Sequence, residues 1–154
     1  MENIRYDLIT ALPEMIVLGM AMLILLADLF LKQSNRIVIY VLAQLTLLAA
    51  AYATFTTHTP SVGYAFTGAF VDDTMSDVIK LMMYLGTSLI FVYSRQYIQL
   101  RNMFRGEFYA LVLFSLLGMM VMVSGQSMLT LYIGLELLSL SLYALVAIDR
   151  DNAR

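Results

Sequence analysis

The sequence predicts an all-α, polytopic membrane helix bundle with five transmembrane helices, and three observations predict it. Hydrophobic residues make up 61% of the chain and charged ones 13%, against about 25% charged residues in a soluble domain. Apolar runs long enough to cross a bilayer recur over residues 12–31, 37–55, 76–94, 107–124 and 129–148. Basic residues gather on alternate connections: Lys32, Arg36, Arg95, Arg101, Arg105, Arg150 and Arg154 must share one side. Only Arg5 lies on the other side, and Lys80 stands inside a span. The positive-inside rule then puts the N-terminus and the 56–75 connection outside and the C-terminus in the cytoplasm. Residues 1–154 read as a single membrane domain.

Composition also bounds function. The net charge of −2 gives no reason to expect nucleic acid. The absence of cysteine excludes disulfides and iron–sulfur ligation, and a lone histidine makes a haem or zinc centre a poor expectation. No cofactor and no metal is therefore expected in this chain. No cleavable signal peptide is expected either, because MENIRYD lacks a basic start and the first apolar run holds Glu14 and Asp28.

The first span opens with Pro13, whose missing N–H costs little in a first turn, and with Glu14 at the positive end of the helix dipole. Near its end, Asp28 reads as an i,i+4 partner of Lys32 or as a group in ion movement. The second span has Gln44 as its one strongly polar residue, and the alanines at 49–51 and 53 would let a neighbouring helix approach closely.

The connection from Thr56 to Met75 is the longest. Its Thr, Gly and Pro content and the alternation YAFTGAFV over Tyr64–Val71 predict a short surface hairpin, with His58 a solvated loop histidine. The third span carries Lys80 one turn in. Two readings stand: a snorkelling lysine paired with Asp77, or a member of a buried charge chain with Glu136. After the basic connector from Arg95 to Gly106, the fourth span carries Met119, Met120 and Met122. These read as adaptable packing, since thioethers binding copper would bring Cys or His with them. Tyr93, Tyr97 and Tyr109 cluster at the basic side as an aromatic belt would.

The fifth span, LTLYIGLELLSLSLYALVAI, holds one charge, Glu136, near the middle of a helix about 30 Å long. A carboxylate at that depth costs roughly 2.5 kcal/mol or more on insertion scales. At 100° per residue, Tyr132, Ser139 and Tyr143 fall within about 60° of Glu136 and form one polar stripe. Thr130, Gly134 and Ser141 form a small-residue face on the opposite side. Such a helix is expected inside a bundle, with its stripe against other helices or water. Glu136 reads as a proton-carrying group, or as a packing residue bonded to Tyr132, Ser139 or a neighbour's tyrosine.

LPE in the first span, FVDDTMSDVIKLMMYLG across the third, GEFYALVLFSLLGMMVM in the fourth and GLELLSLSLY in the fifth resemble subunit N of bacterial NADH–quinone oxidoreductase. That family is an antiporter-like, proton-translocating membrane subunit of respiratory complex I. The resemblance covers essentially the whole chain and is most specific from Gly106 to Ile148. It implies that Glu136 pairs with a lysine on a later, broken helix and that Lys80 matches the lysine of the third-span motif. It also implies fourteen spans, so that this chain is the N-terminal part of a longer subunit. The expected setting is the bacterial cytoplasmic (inner) membrane, among other membrane-arm subunits and lipid, with no nucleic acid. NADH, flavin, iron–sulfur clusters and quinone are expected in partner subunits. Two alternatives compete: a cation/proton antiporter subunit of the related family, and a five-span scaffold that moves nothing.

Overall fold

Lipid offers no partner to a bare N–H or C=O, so a chain this apolar closes its backbone hydrogen bonds within helices. A computed structural model describes residues 2–30, 37–58, 63–100 and 106–148. A short helix α1 (Glu2–Thr10) precedes α2 (Leu12–Phe30) and α3 (Ile37–Thr57). Strands β1 (Gly63–Ala65) and β2 (Phe70–Asp72) follow, then α4 (Thr74–Leu100), α5 (Gly106–Ser124) and α6 (Met128–Ile148). The five helices α2 to α6 are long and apolar enough to cross a membrane. The sequence reading missed α1, whose apolar content is too low for a span. It also ended the third span at Ser94, where apolarity fails, whereas the helix runs on to Leu100.

The expected hairpin is present as β1 and β2, paired antiparallel with Tyr64 opposite Val71. Its tip turns through left-handed backbone at Phe66, Thr67 and Gly68. Three contacts dock it on the end of the bundle. The Phe66 N–H donates to Asp7 of α1 at 3.1 Å, the Gln126 N–H donates to the Ala69 carbonyl at 3.1 Å, and Phe70 bridges to Gly125.

The core lies along α5, which packs against α2, α3, α4 and α6. Ile24, Ile39, Leu113, Leu116 and Met120 are fully buried there. Tyr109 belongs to this core and not to an interfacial belt. It is wholly buried, with its ring 5.2 Å from Phe91, 5.5 Å from Phe108 and 6.1 Å from Tyr40. Tyr93 is 89% exposed, as a belt residue should be. The one strongly polar side chain of α3, Gln44, is answered across the helix pair: Ser88 donates to its Oε1 at 2.8 Å, and its amide donates to the Ser88 carbonyl at 3.3 Å.

Candidate functional site

Two places gather the polar groups that a membrane bundle must account for. The first is the end of the bundle beneath the hairpin. On α4 the buried residues Asp77, Lys80, Tyr84, Thr87 and Phe91 recur at three- and four-residue steps and make one inward stripe, while Val78, Leu81, Met82 and Leu85 face outward. Lys80 is therefore carried inward, 1% exposed. Its Nζ meets Glu14 Oε1 of α2 at 2.7 Å. The contact has the distance of an ion pair without the alignment of a hydrogen bond, and Glu14 Oε2 has no hydrogen-bond partner among the described residues. The Phe70 ring lies 5.1 Å from the ammonium, where its negative face favours a cation.

This geometry overturns the snorkelling reading of Lys80. The lysine is buried, its ion-pair partner is Glu14 and not Asp77, and among the described residues it makes no direct ion pair with Glu136. His58 is the exposed loop histidine that was expected, and it also bonds buried Asp77 through Nδ1 at 2.7 Å. Asp72 on β2 is buried in the same group. Burial first, then the neighbouring Asp77 carboxylate, push its carboxyl up to about 6 against the pull of Lys80. Asp73 goes the other way. It caps α4, its carboxylate accepting from the Ser76 hydroxyl at 2.5 Å and from the Ser76 N–H at 2.8 Å, and these bonds hold its carboxyl below the usual range. The expected Asp28–Lys32 pair reaches outside the described residues. Asp28 itself lies where a Cβ on Gly106 would go, against the first turn of α5, where a helix dipole favours negative charge.

The second place is α6. Its small-residue face does pack: Gly134 and Ser141 are buried, and Ser141 returns its hydroxyl to the Leu137 carbonyl at 2.7 Å. A Cβ at Gly118 of α5 would meet the Gly134 carbonyl and the Leu138 nitrogen at 2.8 Å, so the two backbones touch. The polar stripe points the other way. Glu136 is exposed, Tyr132 is 61% and Tyr143 71% exposed, and Ser139 is half-buried. An interior position for this helix was expected, but among the described residues α6 lies at the edge, because its stripe is opposite the one face that packs. Lys80 and Glu136 thus occupy separate sites.

No family model matches the chain. The chain is 66% identical over 155 residues, all of its length, to NADH-quinone oxidoreductase subunit N of Methylovorus glucosotrophus. Proteins of the same name from Thioalkalivibrio sulfidiphilus and Nitrosomonas europaea are 51% and 47% identical over 96% and 99% of it. Along its whole length the chain is similar to proteins named subunit N. It spans about a third of the length of these curated relatives, covering 32%, 31% and 32% of them, and that third is the N-terminal one. The part of the sequence that most resembled subunit N, Gly106 to Ile148, is the part in which α5 and α6 lock through Gly118 and Gly134. Glu14 was missed as the partner of Lys80. The signal was available: a polar stripe of period 3 to 4 on a membrane helix turns inward, and the nearest acid at the same membrane depth on another span is Glu14.

Proposed function

We propose that this chain is part of a membrane-arm subunit of NADH–quinone oxidoreductase. It takes part there in proton translocation coupled to NADH oxidation and quinone reduction, in the bacterial cytoplasmic (inner) membrane. The observation that carries the reading is the match along the whole chain to proteins named NADH-quinone oxidoreductase subunit N. The chemistry of the residues supports it. A carboxyl at mid-membrane depth must be neutral, hydrated or paired. Glu136 stands in mid-span on a face that α5 leaves open, flanked by hydroxyls of Tyr132 and Tyr143. A cation brought to that face favours the ionised form, and its withdrawal favours the protonated one. Coming and going of a lysine from another part of the assembly would therefore load and release a proton on Glu136.

Lys80 has a different place in this reading. Held by Glu14, it fixes charge at the hairpin end of α4. The hairpin end faces outside and the α4–α5 connection faces the cytoplasm. Other membrane-arm subunits and lipid surround the chain. NADH, flavin, iron–sulfur clusters and quinone belong to partner subunits, and a chain without cysteine does not fit a cluster's ligand set. The test is NADH-driven proton uptake by inverted membrane vesicles from cells whose subunit carries or lacks this segment. Loss of both quinone-linked NADH oxidation and proton uptake, restored by the intact gene, is the expected result. Full coupled activity without the segment would contradict the reading.

A further inference from the structure

The group beneath the hairpin is more than one ion pair. Glu14, Asp72 and Asp77 are buried carboxyls drawn from α2, β2 and α4, and Lys80 is the one buried cation among them. Even with His58 charged, the acids outnumber the cations by one. Three carboxyls buried together around one ammonium disfavour a charge on all three, and burial beside the Asp77 carboxylate favours the protonated form of Asp72. Asp77 bonds His58 at 2.7 Å, and the His58 side chain is 40% exposed while that of Asp77 is 8%. Proton acceptors therefore run from buried Asp72 through Asp77 to a histidine that reaches water.

We propose that the hairpin end of the bundle holds an exchangeable proton between Asp72 and Asp77, with His58 as its route to the aqueous phase. The neighbours set when it leaves. Glu14 from α2 and Asp77 from α4 favour holding it, and Lys80 from α4 favours release. Tyr84 of α4 shares a hydrogen bond with Thr54 at 3.1 Å, and Asp73 is engaged as the cap of α4. From α1, Asp7 is committed to the Phe66 N–H, and the α5–α6 turn brings only the uncharged Gly125 and Gln126. Burial and the Asp77 charge place the Asp72 transition near pH 6. The site stands apart from the translocation reading, because it is a property of the resting protein.

Infrared titration of the assembled oxidoreductase in membranes, without NADH, tests the site at rest. The difference spectrum between wild type and Asp72→Asn should show a protonated-carboxyl band that titrates near pH 6. In Asp77→Asn, which removes a like charge, the band should titrate at lower pH. His58→Gln keeps a hydrogen-bonding group beside Asp77 but no titratable ring, and should slow the response to a pH jump several-fold. Absence of any such band between about pH 5 and pH 8, or a band that survives in Asp72→Asn, overturns the site. An unchanged response in His58→Gln overturns the route. Assembly on native gels confirms that each variant folds, and coupled turnover measured separately keeps this outcome distinct from that of the proposed function.

Discussion

Lys80 Nζ and Glu14 Oε1 meet at 2.7 Å in a place where the lysine is 1% and the glutamate 7% exposed. The pair joins α4 to α2, two helices that make few other contacts, and its charge is steadied by the Phe70 ring from the hairpin. Its stabilising value follows from desolvation. Two charges already removed from water gain little over an apolar pair, but either one left alone is costly.

Lys80→Met alone should therefore destabilise the subunit by about 3–5 kcal/mol, with reduced assembly. Glu14→Gln together with Lys80→Met should recover most of that loss. Thermal stability in detergent and assembly levels for the two single variants and the double variant measure the coupling. Additive single effects would show that the pair is no more than two separate side chains.

The contact of α5 with α6 depends on two glycines that face each other. Gly118→Val would drive a side chain into the Gly134 carbonyl and the Leu138 nitrogen, each 2.8 Å from the first added carbon. Overpacking of this kind costs about 1–3 kcal/mol. Since α6 packs chiefly on α5 among the described residues, the damage should appear as displacement of α6. Cross-linking between cysteines placed on the two helices should weaken in Gly118→Val and stay unchanged in Gly86→Val, a site with nothing within 4 Å of the added carbon.

Two neighbouring aspartates should respond to acid in opposite senses. Asp73 titrates below its unfolded value because Ser76 bonds its charged form. Its contribution is present above about pH 4 and is lost as pH falls through the lowered value. Asp72 is raised to about 6. The folded state then holds its proton more tightly than the unfolded chain does, so stability is lost as pH rises from about 4 to 6. Asp72→Asn should relieve this cost, on the order of 2 kcal/mol at neutral pH, and change little below about pH 4. Hydrogen exchange over residues 63–72 at both pH values measures it; equal protection in wild type and Asp72→Asn at neutral pH would contradict it.

Orientation rests on the basic residues alone, and labelling settles it. The chain has no cysteine, so single cysteines can be introduced without background. Tyr64→Cys, exposed on the hairpin, should react with an impermeant reagent from outside intact cells. Glu107→Cys, exposed at the start of α5, should react only after permeabilisation. The opposite pattern would invert the bundle.

Much of the fold was legible because lipid makes apolar length decisive. The five spans and the hairpin follow from hydropathy and from the alternation over Tyr64–Val71. Helix α1 was not legible, since nine residues of mixed polarity carry no span signal and are held by the contact of Asp7 with the hairpin. The small-residue face of α6 read correctly as a packing face, because Gly134 admits a backbone that no other residue would. Which way the Glu136 stripe would point could not be read, as it depends on how many helices surround α6. The partner of Lys80 was missed although the inward stripe of α4 was legible. Sequence spacing favours local pairs such as Asp77–Lys80, whereas the bundle brings α2 alongside α4 and offers Glu14 at the same depth.

The central claim, that Glu136 carries protons, is tested most directly by protons translocated per NADH oxidised in Glu136→Gln and Glu136→Asp, with assembly followed on native gels. Gln keeps the shape and removes the charge, while Asp keeps the charge one methylene shorter. A proton-carrying Glu136 predicts that the Gln variant assembles but loses much of its pumping, and that the Asp variant retains more. A packing role predicts the reverse order, because a neutral polar isostere is tolerated where a shortened acid leaves a cavity and a stranded hydroxyl. Gln at wild-type pumping with Asp impaired would contradict the account.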